Sequence, residues 1–507
     1  MIGILSSMRI PSILSLTLLS VIASVTAAPE TVAIAAFKPD EPQPGRIAER
    51  VVCKNSSEQT YALYLPSKYS ADRNWPLIAA FDPGARGNLP VERFKEAAER
   101  YGFIVCGSNN SRNGPMRGSA DAAQAMLADV TARFAIDEKR VYLTGFSGGA
   151  RAATALAVWL SGHVAGVIGC GAGFVEGVNP SSTLGYVYYG TVGTEDFNYP
   201  EMKRLDRLLD QARVTHHIEV FDGGHDWAPS DVCLGAVEWI ELQAMKSGRR
   251  ARDEAFIDRL FASAEETASK NETAGDVYEA YLTYVNIAAD FKDLKATAEI
   301  EKKIALLKDS KAVKQALSRD RDQESEQARR LKEIFGLRAK LRSRALNSEL
   351  GEGSPESATP QAYDPGGDQP TRESMIGDLR RIIAELKRKS DAKEKSPQRA
   401  LARRVLNQFL VSSFEQSRML LFAKKYDLAA ASIEADAEVM PDNWRIWYSL
   451  ASAYALGGNK RRAIETLSKA VEKGFGNRAG LEADSQFDSI RDDPAFKKLL
   501  EAMKQKQ

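Results

Sequence analysis

The chain has 507 residues, too many for one hydrophobic core, and length alone suggests about three domains. Its 69 Lys and Arg nearly cancel its 68 Asp and Glu, so no net field recruits nucleic acid or an anionic membrane surface. The four cysteines, Cys53, Cys106, Cys170 and Cys233, are too widely spaced for a zinc knuckle, which leaves disulfides in an oxidising compartment or buried free thiols as equal alternatives.

Arg9, the apolar run 13–25 and then V-T-A-A-P-E have the charged, hydrophobic and small-residue parts of a secretory signal, with cleavage after Ala27. The run is shorter than the roughly 20 residues that cross a bilayer, so the expectation is an exported chain, periplasmic or secreted, with no membrane span after signal cleavage. Residues 38–45 are a Pro-rich lead-in, and 50–53 and 60–65 read as two antiparallel edge strands around the turn N-S-S-E. From there the rhythm is strand, loop, helix. Strands are predicted at 76–81, 103–106, 141–143, 164–169, 186–191 and 217–221, and helices at 91–101, 119–134, 199–212 and 230–246, with a further helix from Ala150 onward. Strands that are apolar throughout and alternate with helices predict a doubly wound, mostly parallel sheet covered on both faces. In such a sheet the working groups sit in loops leaving the C-terminal ends of strands.

One turn stands out against that rule. Gly145-Phe146-Ser147-Gly148-Gly149 follows the apolar strand 141–143 and opens the Ala-rich helix, a G-x-S-x-G turn that can lift a serine hydroxyl clear of its neighbours. A serine becomes a nucleophile only beside a base and in front of oxyanion donors. Of the four histidines, only His225, in F-D-G-G-H-D-W, leaves a strand at its C-terminal end; His163 ends a helix, and His216 and His217 enter the last strand. An imidazole is the side chain suited to take the serine proton and return it to the leaving group. The orienting acid is expected after the strand between them, in G-T-E-D-F-N-Y-P, where Asp196 is preferred to Glu195 and to Asp226, the neighbour of His225. The oxyanion hole needs the N–H of Gly148 and a second from the turn F-D-P-G-A-R-G; Pro83 has none, which leaves Gly84 or Ala85.

At these residues the chain resembles the α/β-hydrolase superfamily, and within it the lid-poor esterases of the polyhydroxybutyrate-depolymerase, feruloyl-esterase and dienelactone-hydrolase type. The resemblance rests on Y-L-P-S, G-F-S-G-G-A-R, G-T-E-D-x-N-Y-P and G-G-H-D-W, covers roughly 46–246, and implies Ser147, Asp196 and His225 as the triad. Those relatives carry His-Gly where this chain has Asp82-Pro83.

After Gly248 the strand signals stop. Stretches 253–267, 276–290, 294–307 and 314–344 carry apolar residues at helical spacing with charges of both signs elsewhere, and read as packed helices. Residues 347–371 have too few apolar side chains to fold alone and read as a flexible linker. Near the C-terminus Trp447, Leu450, Ala451, Tyr454, Gly458, Ala463, Leu467 and Ala470 fall at the spacings of a tetratricopeptide unit, preceded by a looser match through Tyr426, Ala429, Ile433 and Pro441. This part resembles a short tetratricopeptide domain, with 398–410 completing the stack and 481–503 capping it; it implies either a protein partner or a packing module.

The expected organisation is thus a signal peptide (1–27), an α/β-hydrolase domain (28–247), a charged helical region (248–346), a linker (347–371) and a tetratricopeptide-like helical domain (372–507). The expected function is an exported serine esterase that needs no cofactor and no metal. Residues 171–185 hold no amphipathic helix, so an open site without a lid is expected, suited to a polar or bulky ester such as an acylated saccharide or a phenolic ester. A serine peptidase of the same fold, or a scaffold protein with a vestigial hydrolase domain, are the alternatives. All predicted chemistry lies before Gly248, so the tail is expected to be separable from it.

Overall fold

The computed structural model describes residues 41–175, 177–350 and 371–504. The expected signal peptide lies outside them, as does most of the expected linker.

Eight strands form one sheet: β1 (Ile47–Cys53), β2 (Ser56–Tyr64), β3 (Trp75–Phe81), β4 (Ile104–Ser108), β5 (Ile136–Phe146), β6 (Gly166–Cys170), β7 (Val187–Gly193) and β8 (His216–Phe221). Their spatial order is β1-β2-β4-β3-β5-β6-β7-β8; β2 is antiparallel to both its neighbours, and the pairs from β4 to β8 are parallel. The helices of this part are α1 (Asn88–Tyr101), α2 (Met116–Arg133), α3 (Gly148–Trp159), α4 (Tyr199–Gln211) and α5 (Ser230–Lys246). Sheet and helices together bury two apolar layers, one on each face, so β3, β4 and β6 are buried along their whole length. That is why these strands read as continuous apolar runs with no alternation. β5 is longer than its apolar stretch: it begins at Ile136, and the D-E-K-R that follows gives no strand signal. The chain steps from β3 outward to β4 and then back across to β5, so the strand order reverses beside β3 and β5, where a doubly wound sheet opens a crevice at its C-terminal edge.

The second part of the chain is helical: α6 (Glu254–Ala274), α7 (Val277–Asp290), α8 (Ala298–Lys308), α9 (Lys311–Leu350), α10 (Arg372–Ser390), α11 (Pro397–Phe422), α12 (Tyr426–Val439), α13 (Trp444–Leu456) and α14 (Lys460–Glu472), followed by short helical turns to residue 504. α9 runs through residues 347–350, the start of the expected linker. Ala429, Ile433, Leu450, Ala451, Ala463, Leu467 and Ala470 share one core with Phe487 and Phe496. The small residues let α12, α13 and α14 approach closely while the aromatics close the end.

The helical part does not stand apart from the sheet. Leu242 and Met245 of α5 are buried in a common cluster with Phe256, Ile257, Tyr284 and Ile287 of α6 and α7. Beneath them Asp290 accepts from Trp239 Nε1 at 2.6 Å and meets His217 Nδ1 at 3.0 Å, while the buried carboxylate of Glu241 is held by Arg140 and Arg250. The expectation of a separable tail did not include these contacts. A chain ending at residue 247 would uncover apolar faces worth about 1.5–3 kcal/mol for each large side chain and leave Trp239 Nε1 without its acceptor.

Candidate active site

Ser147 stands between β5 and α3 with φ 52° and ψ −119°, a left-handed conformation that costs a non-glycine residue about 1–3 kcal/mol. The turn is held by close approach on both sides. A Cβ at Gly145 would lie 2.1 Å from Gly149 O, and one at Gly149 would lie 1.9 Å from Phe81 O, so the glycines are what let α3 start against the ends of β5 and β3. Ser147 N–H donates to Cys170 O at 2.8 Å, tying the turn to the neighbouring strand.

His225, on the loop after β8, places Nε2 2.9 Å from Ser147 Oγ, and its Nδ1 lies 2.8 Å from Asp196 Oδ1. Its ring is sandwiched between Phe146 (4.6 Å between centroids) and Phe197 (4.1 Å), which fixes the imidazole plane. Asp196 is fully buried, and burial pushes its carboxyl above the ordinary range although the hydrogen bond and charge of His225 pull the other way. Its Oδ1 also accepts from Asn198 N–H at 2.8 Å. The acid and histidine loops are zipped by backbone bonds, Thr194 N–H to Phe221 O (2.9 Å) and Glu195 N–H to Gly223 O (2.8 Å).

Of the rival acids, Glu195 turns away to Arg403 (2.7 Å) and Arg399 (3.3 Å), and Asp226 Oδ1 accepts from Trp227 N–H. The three residues predicted for the chemistry are therefore brought together.

The second oxyanion donor is placed differently. Gly84 N–H donates to Asp82 Oδ1 at 2.8 Å, and Ala85 N–H, at a φ of 59°, to Asp82 O at 3.2 Å, so both are engaged within their own turn. Asp82 explains why. It is fully buried, accepts from Arg86 Nε and Nη2 and from Trp227 Nε1 (2.8 Å), and so ties the turn after β3 to the histidine loop. Burial opposes its charge, but these hydrogen bonds prevail and hold the carboxyl below the ordinary range. Gly148 opens α3, where a first-turn N–H has no partner in its own helix. Over it sits the amide of Asn113: a Cβ at Gly148 would lie 1.8 Å from Asn113 Oδ1 and 3.5 Å from Nδ2. Asn113 is anchored by its own N–H to Pro83 O (2.9 Å), and among the described residues nothing takes its side-chain amide. Sequence reasoning missed it because an asparagine in S-R-N-G-P reads only as a turn residue.

Ser147, Gly148 and Asn113 open into a cleft of about 520 Å³. Among the described residues of the segment after β6 no helix forms, yet the cleft has a wall from elsewhere: Gln408, Val411, Ser412 and Glu415 of α11. The site is not open on that side. The four cysteines are buried and free, and burial raises the Cys53 and Cys170 thiols to about 11.

No family model matches the chain, and no curated protein matches it. Solved structures similar to its first part include an S-formylglutathione hydrolase from Staphylococcus aureus, 14% identical over 36% of this chain and 92% of that one, with a TM-score of 0.31. A feruloyl esterase module from Clostridium thermocellum is 15% identical over 40% and 94% (TM-score 0.30), and esterase B from Lactobacillus rhamnosis is 17% identical over 41% and 91% (TM-score 0.33). The sheet order and the site stand on the geometry above: an eight-stranded, mostly parallel sheet with a serine, a histidine and an aspartate in hydrogen-bond sequence at its C-terminal edge, followed by a helical region.

Proposed function

We propose that the chain is a serine hydrolase acting on carboxylic esters. The observation that carries this is the unbroken line Asp196 Oδ1, His225 Nδ1, His225 Nε2, Ser147 Oγ at 2.8 and 2.9 Å, with the serine on a strained turn facing a cleft. Ser147 Oγ attacks the ester carbonyl as His225 Nε2 takes its proton; the tetrahedral oxyanion forms beside Gly148 N–H, and His225 returns the proton to the departing alcohol. Water then repeats the sequence on the acyl-enzyme. Asp196 keeps the imidazole in the tautomer that accepts at Nε2 and stabilises the imidazolium. We assign the second oxyanion donor to Asn113 Nδ2, in place of Gly84 or Ala85, whose N–H groups are engaged.

The side chains around the cleft are mainly polar, among them Arg112, Asn198 and Glu415, which supports a polar or bulky ester over a long alkyl chain. Export is part of the same reading and is supported by the three-part N-terminal signal; the tetratricopeptide-like reading of α12–α14 is supported by small residues in their shared core. The test is fluorophosphonate labelling of Ser147, followed by turnover of p-nitrophenyl esters of increasing chain length against a peptide amide. Labelling with a preference for short esters is expected. An unlabelled serine would refute the reading.

A further inference from the structure

The loop 194–198 that carries Asp196 is gripped from outside the sheet. Arg404 of α11 donates through Nη1 to Thr194 O (2.9 Å), and Gln327 of α9 donates to Phe197 O (3.1 Å). Arg403 and Arg399 of α11 hold Glu195. Arg404 and Gln327 are each only 2% exposed and bond to one another, Arg404 Nε to Gln327 Oε1 at 2.8 Å, while Arg404 Nη2 reaches Gln323 Oε1. The guanidinium also stacks over Tyr199, 4.7 Å from the ring centroid.

A buried guanidinium is costly to desolvate, and a helix that only needed to pack would bury an apolar side chain there more cheaply. Arg404 is instead spent on a backbone carbonyl two residues before Asp196. One to three turns further along the same helix, Gln408, Ser412 and Glu415 stand at i, i+4 and i+7, on one stripe, and this stripe lines the cleft above Ser147. The same cleft is lined by Arg112, an exposed cation for which no ion pair occurs among the described residues. The cleft thus holds an acceptor carboxylate, a hydroxyl and a guanidinium donor.

We propose that α11 completes the active site: its arginines hold the acid loop in register with His225, and its Ser412 and Glu415 select esters whose non-reacting part carries hydroxyl groups, as an acylated sugar does. This rests on the esterase reading above. Arg403 and Arg404 are positioning residues, touching the loop and not the substrate. Glu415 is suited to accept from sugar hydroxyls, and Arg112 to donate to their oxygens.

The experiment uses the full chain. In the first arm, kcat/KM is measured for an acetylated methyl xyloside and for p-nitrophenyl acetate. The double variant Ser412→Leu, Glu415→Leu should lower the ratio of the two by at least about tenfold, or about 1.4 kcal/mol, mainly through a raised KM for the sugar ester. The second arm is Glu195→Ala, which loosens the loop without emptying the core. It should lower kcat about tenfold with little change in KM for p-nitrophenyl acetate, because the acid loop loses its register and the substrate contacts stay, and Glu195→Gln, which keeps an acceptor for Arg399 and Arg403, should recover most of the loss. A purely structural role would lower Tm and leave kcat of the folded enzyme in place. An unchanged ester preference in the first arm, or an unchanged kcat in the second, overturns the proposal while the wild-type protein remains an active esterase. Wild-type protein that hydrolyses neither ester and takes no fluorophosphonate label refutes the esterase reading itself, and this proposal with it.

Discussion

The nucleophile turn and the acid loop lie side by side, yet they are held in different ways. Ser147 is positioned by its own strand and helix and by the next strand: Gly145 and Gly149 supply the close approach, and Cys170 O takes the serine N–H. The loop with Asp196 shares backbone bonds with the histidine loop but is also clamped by Gln327, Arg399, Arg403 and Arg404, some 130 to 210 residues further along the chain. The contrast separates chemistry that a short stretch can encode from chemistry that needs the whole chain.

The largest effects test whether the line of hydrogen bonds is the machinery. Ser147→Ala should cost on the order of 10⁴ to 10⁶ in kcat with the fold intact, since the hydroxyl supports no core. Asp196→Asn should cost about 10⁴ near neutral pH, because the imidazole loses the acceptor that sets its tautomer. Burst titration and circular dichroism on both variants check this. If Glu195→Ala proved as damaging as Asp196→Asn, Glu195 would be the acid and the contrast between the two loops would dissolve.

Next in size is the oxyanion side. Asn113→Ala should lower kcat by about 10² to 10³ with little change in KM, the range seen when one oxyanion donor is removed. Asn113→Asp should be no better, since a carboxylate offers no donor there. Full activity in Asn113→Ala would return the role to Gly84 or Ala85 and require their N–H groups to leave Asp82.

These cases also mark what was legible in the sequence. The parallel sheet could be read because strands buried on both faces are apolar runs, and Ser147, His225 and Asp196 because each follows a strand at its C-terminal end. Asp82 was visible only as a departure from His-Gly; that its carboxylate would receive Arg86 and Trp227 depends on the histidine loop folding over it. The wall of the cleft was not legible. Nothing in R-R-V-L-N-Q-F-L-V-S-S-F-E, residues 403–415, distinguishes a solvated helix face from one that meets an active site, because both call for polar side chains. His217 could be set aside as a base from its place at the start of β8, but its bond to Asp290 of α7 could not be foreseen.

That last contact gives the smallest effect, one on stability and not on rate. His217 is stacked flat on Tyr189 at 4.9 Å, with Asp290 on Nδ1 and Glu219 on Nε2, and Lys246 bonds to the Asp290 carbonyl. Burial alone would lower its pKa, but the charge and hydrogen bond of Asp290, followed by those of Glu219, outweigh it and raise the imidazole to about 10. His216 is shifted in the same direction; burial lowers it, and Asp206 and the Val214 carbonyl prevail. A folded-state pKa above the unfolded value of about 6.5 means that the folded chain binds the extra proton between the two. The stability from this cluster is therefore complete below about pH 6.5 and is lost as the pH rises toward 10, with a slope of at most about 1.4 kcal/mol per pH unit for one proton. Lys246, whose pKa burial lowers, contributes with the opposite sign and softens the fall. Thermal unfolding of the wild type between pH 6.5 and 8, below the range where unfolded thiols and tyrosines ionise, should show Tm falling by a few degrees, at about 2–4 °C per kcal/mol. His217→Gln should lie lower at pH 6.5 and run flatter, so that the gap between the two curves narrows toward pH 8. Parallel curves would mean that the imidazole is neutral in the folded chain, and that the sheet and α7 are joined there by hydrogen bonds alone.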